Sequence, residues 1–301
     1  MEEFAQQVVT GASIGSIYAI LALAIVLIYR STRVVNFAQG ELAMFTTFIS
    51  WSLLLRMDFW PAFLLAILIA FFIGAMLEIV IMRPVERAPH LNSIVVTLGL
   101  LAIFNSLALW RYGPLQKPFP APDNWCIGGK CLELFQGDAF TAGTVTISRL
   151  NVGILSMALM IMVALFLLFN YTKVGLAMRA TAQNPMASQL VGINVSRMLA
   201  LGWGLAAAVG AIAGMLTAAS LTLSLDMMAA ILIFGFAGAV LGGLDSPGGA
   251  IIGGLSVGVL QALAGNYIDS QVDLMAAFAI IVAVLVIRPT GLFGRRIIRR
   301  V

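Results

Sequence analysis

"VVNFAQGELAMF", residues 34–45, stands between two runs too apolar to belong to a soluble protein, and its reading decides the fold. Asn36, Gln39 and Glu41 interrupt it, so either they form a connector in water or the membrane carries polar groups there. Arg33 and Arg56 bracket the 22 residues 34–55. As a helix rising ~1.5 Å per residue they would span about 33 Å, one crossing of a ~30 Å hydrocarbon layer. With residues 36–41 in water, the remaining Leu42–Leu55 would reach only ~21 Å, too short to cross without thinning the bilayer or tilting a neighbour. At least part of the polar stretch is therefore expected at membrane depth, with Gly40 allowing a break or a close helix approach. Polar groups at that depth face a cavity or another helix rather than lipid. A plainer reading keeps Asn36 as a helix N-cap and Glu41 as a partner for the positive end of a helix dipole.

The rest of the chain supports the membrane reading. Of its 301 residues 61% are hydrophobic and 10% charged, against roughly 45–50% and 25% for soluble domains. Cutting at the charges leaves nine apolar stretches, 4–29, 34–55, 59–82, 91–110, 150–172, 198–225, 227–244, 246–268 and 274–287, with Glu41 and Glu78 as their only charges. The expected fold is all-α: a polytopic membrane bundle of about eight to nine spanning or re-entrant segments, one domain over 1–301. The start, "MEEFAQQ", lacks the basic region of a signal peptide and is expected to be retained. With the N-terminus outside and the C-terminus in the cytoplasm, 12 of the 17 basic residues fall inside and 5 outside. That is the bias of the positive-inside rule, so the net charge of +4 needs no nucleic acid to explain it. The short stretches 227–244 and 274–287 leave the count open, and 227–268 reads equally as a re-entrant hairpin.

Small residues recur four apart at Gly11/Gly15, Gly210/Gly214, Gly238/Gly242, Gly249/Gly253 and Gly254/Gly258, the spacing that lets helices approach closely in lipid. "LGGLDSPGGAIIGG", 241–254, joins two apolar stretches through a sharp turn, which is either a hairpin at the cytoplasmic face or a broken helix beside a pathway. Glu78, five residues before Arg83, is explained by snorkelling or by pairing with a basic neighbour.

Two loops stand out. Residues 112–149 form one long outer loop with four prolines and with Cys126 and Cys131, which either bond in that compartment or remain free thiols. Residues 171–197, "YTKVGLAMRATAQNPMASQLVGINVSR", read as two short amphipathic helices facing the cytoplasm. Val174, Ala177, Met178 and Thr181 share one face, and Met186, Ala187, Leu190 and Val191 another. Asn184 caps the second helix, Pro185 fits its first turn and Gly192 ends it. The pair reads as a docking knob, or as an interfacial helix pair lying on lipid. The chain has no P-loop: its only Gly-Lys pair, 129–130, has Asn124 where the first glycine belongs. It has no H-E-x-x-H or G-x-S-x-G motif, and His90 has no second imidazole for a metal. No enzyme and no metal site are expected.

Three of these segments, "VVNFAQGELAMF", "RATAQNPMASQLVGINVSRMLAL" and "GGLDSPGGAIIGG", resemble in order and spacing the LivH-type permease subunits of bacterial ABC importers for branched-chain amino acids. The similarity runs over roughly residues 8–294. It implies an inner-membrane assembly with a second permease, two cytoplasmic ATPase subunits holding the ATP and magnesium, and a periplasmic binding protein. This chain itself would hold no cofactor. It also implies a coupling loop at Gly175, Arg179, Ala182, Gln183, Asn184, Pro185, Ala187 and Gly192, and a pathway in which Asn36, Gln39, Gly40 and Glu41 are candidate contacts. The family often carries acidic residues where this chain has Gln183 and Asn184. A self-contained, ion-coupled secondary transporter of amino acids or amides is the competing class. It would need working intramembrane carboxylates, for which Glu41 and Glu78 are the candidates.

Overall fold

The computed structural model describes residues 2–85, 89–120, 126–127, 130–131, 140–142, 145–267, 273–288 and 290–294. Each of the nine apolar stretches contains a helix. In chain order these are α1 (Glu2–Thr32), α2 (Gln39–Leu54), α3 (Phe59–Leu77), α4 (Arg83–Val85), α5 (His90–Tyr112), α6 (Arg149–Tyr171), α7 (Lys173–Gln183), α8 (Pro185–Leu190), α9 (Val195–Ser220), α10 (Met227–Gly242), α11 (Pro247–Tyr267) and α12 (Asp273–Ile287). A π-helical turn, Glu78–Met82, joins α3 to α4. Among the described residues six helices are long and apolar enough to cross a membrane: α1, α3 with its extension, α5, α6, α9 and α11.

The 34–55 stretch is broken rather than one continuous helix. Only Gln39–Leu54 is helical, and residues 34–38 run in open backbone. At ~1.5 Å per residue the 16 residues of α2 span about 24 Å, less than a crossing. The polar stretch is nonetheless inside the bundle: Asn36 is 1% exposed and Gln39 0%. Open backbone is tolerable there because its polar groups find partners in protein.

Glycine sets the packing. On α11, a methyl group at Gly258 would lie 2.2 Å from Gly15 Cα, and one at Gly254 would lie 2.4 Å from Ala19 Cα, so α1 and α11 meet backbone to backbone. Gly253 approaches the carbonyl of Gly238 in the same way, bringing α10 onto another side of α11. The recurrent pairs are thus close-packing surfaces. Without a hydrophobic force between helices in lipid, such approach is a main source of association. α1 and α9 are the buried centre, nearly sealed from the outside over Ile17–Ile28 and Trp203–Ala218.

The 241–254 segment is a hairpin turn between α10 and α11. Arg33, at the end of α1, forms an ion pair with Asp245 in that turn. Residues 290–294 close over it: the amides of Leu292 and Phe293 donate to the carbonyls of Leu241 (2.8 Å) and Gly242 (3.1 Å).

Among the described residues the bundle is all-helical, as expected, and short strands lie in the loop after α5. Cys126–Ile127 pairs with Lys130–Cys131 (β1, β2), and Phe140–Ala142 with Val145–Ile147 (β3, β4), as two small antiparallel ladders in the loop after α5. A loop outside the bundle can satisfy its backbone in short ladders, since only membrane-embedded backbone is forced into helix. Cys126 faces Cys131 across the first ladder, but their side chains lie outside the described residues, and so does the disulfide expectation. His90 begins α5, and its side chain is likewise outside the described residues.

Candidate functional site

Asn36 does not cap α2. The N-cap position is Ala38, with no side-chain cap bond. Asn36 instead closes the turn before the helix, its Oδ1 accepting from the Ala38 amide at 3.0 Å. Its Nδ2 donates to Gln39 Oε1 at 3.3 Å, and Gln39 Nε2 donates to the Ala206 carbonyl of α9 at 2.9 Å. The chain of bonds is continuous and buried, and it ties the break to α9. Gly40 packs against α10, where a methyl group would lie 3.2 Å from Leu232 Cβ and 3.4 Å from the Met228 carbonyl.

Ala206 is eleven residues beyond Val195, the first residue of α9, or about 17 Å along its axis. α2 therefore begins part-way along α9, inside the bundle. α10 begins at the same level, since Met228 meets Gly40, and then runs back towards the end where Asp245 pairs with Arg33. Two short helices thus start inside the bundle and leave in opposite directions. The positive ends of both helices therefore lie inside the bundle.

Glu41, in the first turn of α2, is 7% exposed. Its Oε2 accepts from Asn105 Nδ2 of α5 at 3.2 Å, and no cation pairs with it among the described residues. Asn105 Nδ2 also lies 3.4 Å from the Leu225 carbonyl, in the segment that dips in ahead of α10. That segment is held to the chain after α5 by a two-way backbone bridge, Lys117 N to Leu223 O at 2.9 Å and the reverse at 3.2 Å. Asp226, exposed and close enough to Glu41 for their charges to interact, completes a small acidic and amide cluster at the start of α10. Asn105 and Asp226 were missed in the sequence; the available signal was an amide deep in an otherwise apolar stretch, 91–110. Glu78 is different. It is fully buried but paired with Arg83, Nη2 to Oε2 at 2.9 Å, so its charge is accounted for locally.

At the other end of the bundle, the 171–197 segment folds as read. Thr172 caps α7 through the Gly175 amide (3.0 Å), Asn184 caps α8 through the Ala187 amide (3.0 Å), and Pro185 occupies the first turn of α8. Gly192, at φ +84°, turns the chain towards α9, whose first amides Asn194 caps. One face is corrected: Gly175, Met178 and Thr181 are buried while Val174 is exposed, a rotation of about one position from the expected stripe. Gly175 fits directly against Phe169 Cα, 2.6 Å from where a methyl would be, and that contact turns the face. Arg179 and Ala182 lie on the inner side, while Gln183, Asn184, Pro185 and Ala187 face out. On α8, Met186, Leu190 and the following Val191 are 77%, 86% and 76% exposed.

Comparison with known proteins places the chain in a family. Residues 7–287 match a family model described as branched-chain amino acid transport system / permease component. The chain belongs to this family. It is 30% identical, over 99% of its length and 98% of the relative's, to the high-affinity branched-chain amino acid transport system permease protein LivH of Salmonella typhimurium. It is 29% identical over the same shares to the permease protein BraD of Pseudomonas aeruginosa. A weaker match, 28% over 63% of this chain and 48% of the relative, is to the xylose/arabinose import permease protein XylH of Sulfolobus acidocaldarius. As a member of this permease family the chain is a membrane transport component rather than an enzyme.

Proposed function

We propose that this chain is the permease subunit of an ATP-driven importer in a bacterial inner membrane. It would carry branched-chain or similar hydrophobic amino acids that a periplasmic binding protein delivers. Its partners are a second permease and two cytoplasmic ATPase subunits that hold the ATP and magnesium. The N-terminus lies outside and the C-terminus inside, with α2, α10 and α12 completing eight to nine spanning or re-entrant segments. Residues 112–149 face the binding protein, and 171–197 face the ATPases.

The observation that carries this reading is the capped knob at α8. It exposes Met186, Leu190 and Val191 to solvent while Ser188 anchors its buried face. Large apolar side chains held out by a capped, proline-started helix indicate a protein partner. ATP-driven closure of that partner would push on α7 and α8 and rock the bundle. On the pathway side, Asn36 and Gln39 support the break, and Glu41 with Asn105 and Asp226 is left to meet the substrate. A buried carboxylate without a cation suits an α-ammonium group, and the neighbouring helix N-termini suit a carboxylate.

The test is a mild-detergent pull-down of the tagged chain, with mass spectrometry of the copurifying proteins. Two P-loop ATPases and a second permease should accompany the native chain, and Leu190→Asp should release the ATPases but keep the second permease. A chain that emerges alone and still drives uptake from an ion gradient in liposomes would establish the secondary transporter instead. Competition for uptake among leucine, an amide and a pentose then fixes the substrate class.

A further inference from the structure

A second polar feature lies away from the pathway. Between the ends of α1, α6, α7 and α9 is a narrow cleft whose polar side is Arg30, Ser31, Arg179 and Thr181 and whose apolar side includes Phe169 and Met198. No carboxylate lines it among the described residues. Thr181 is 2% exposed, and its Oγ1 has no hydrogen-bond partner; the buried Nε of Arg179 has none either. Helical threonines usually return the hydroxyl to a carbonyl one turn back. Thr47 and Thr217 do so here, to Ala43 and Ala213 at 2.8 Å each. Thr181 does not, and the bond from Arg179 Nη1 to Asn170 Oδ1 is at the limiting 3.5 Å. Ser31 donates to the Leu27 and Ile28 carbonyls, which leaves its oxygen lone pairs rather than its proton for a ligand.

The cleft therefore offers two unsatisfied donors, Thr181 Oγ1 and Arg179 Nε, in a basic setting. A water could satisfy one donor but would not neutralise the Arg179 guanidinium. The group that fits is an oxyanion with several acceptor atoms, which a guanidinium fork recognises well. The interior has room for about one water-sized group, so a single oxygen would enter while the rest of the anion sat at the mouth. On the helices that line the cleft, α6 and α7, the apolar side chains Phe166, Tyr171 and Leu176 are exposed. Acyl chains would lie there, and basic pockets between membrane helices at the cytoplasmic side bind anionic lipid headgroups.

We propose that this cleft binds a phosphate group, supplied by the headgroup of an anionic phospholipid, and so fastens α7 to α1. The site is independent of the substrate carried. The test uses the full chain with whatever subunits copurify, delipidated in detergent and titrated in native mass spectrometry. Phosphatidylglycerol, phosphatidylcholine and inorganic phosphate are the probes. One phosphatidylglycerol per chain should bind at least tenfold more tightly than phosphatidylcholine. Thr181→Val and Arg179→Gln should each weaken it fivefold or more while leaving the melting temperature in phosphatidylcholine unchanged. If millimolar inorganic phosphate binds alone and displaces the lipid, the site stands but its ligand is a free phosphate. Equal binding of the two lipids, or binding that both variants leave unchanged, would overturn the proposal.

Discussion

Gln39 reaches the main-chain oxygen of Ala206 across a gap that only Gly210 leaves open. A methyl group at residue 210 would lie 2.3 Å from Gln39 Nε2, and the same helix face repeats the arrangement at Gly214 and Thr47, again at 2.3 Å. The polar break before α2 and the glycines of α9 are therefore one feature seen from two sides. Gly210→Val should evict the Gln39 side chain, leave its amide unpaired in the interior and cost about 1–3 kcal/mol. Thermal melting of the detergent-solubilised protein would report it. Gln39→Leu in the same background should recover part of the loss, because the displaced group is then apolar.

The glycines of α11 differ among themselves. A methyl at Gly258 would press on the backbone of Gly15, whereas one at Gly248 meets nothing within 4 Å. Gly258→Ala should lower the melting temperature and the yield of folded protein, by about 1–3 kcal/mol for overpacking that backbone cannot relieve. Gly248→Ala should leave both unchanged. Equal effects at the two positions would mean that α1 and α11 are not packed backbone to backbone.

Glu41→Gln keeps the size of the side chain and a possible bond to Asn105 while removing the charge. Uptake by the assembled transporter should fall at least tenfold, with the same subunits in the pull-down and the same melting temperature. Asp226→Asn, at the exposed edge of the cluster, should cost less. An intact uptake rate in Glu41→Gln would remove this carboxylate from the pathway.

Arg33 and Asp245 join the end of α1 to the α10–α11 turn, with side chains 42% and 31% exposed. An ion pair so open to solvent is worth only about 0.2–1 kcal/mol and is screened by salt. A double-mutant cycle of Arg33→Ala and Asp245→Ala should give a coupling energy in that range at low ionic strength and a smaller one at high salt.

How much of this was legible beforehand depends on how local the cause is. The caps at Thr172, Asn184 and Asn194 involve residues two or three positions away, and the roles of Asn184, Pro185 and Gly192 could be read directly from the chain. The Glu78–Arg83 pair was legible for the same reason, being five residues apart on one helical run. The face of α7 was misread by one position because Gly175 meets Phe169 of the preceding helix, a contact that periodicity does not contain. Asn105 and Asp226 went unnoticed because their meaning comes from Glu41, 64 residues away from Asn105 in the chain.

By itself the sequence determined that this chain lives in a membrane and where its apolar stretches run, and it raised the expectation that part of 36–41 lies at membrane depth. These follow from the cost of placing charge or unsatisfied backbone in hydrocarbon, which acts locally. Only the tertiary structure decided that α2 starts halfway through the bundle. It also decided that Gln39 bonds the Ala206 carbonyl while Glu41 meets Asn105, and that a basic cleft sits behind α7. Those outcomes depend on which distant helix supplies the facing carbonyl, glycine or amide, and that is a property of packing rather than of any stretch of residues.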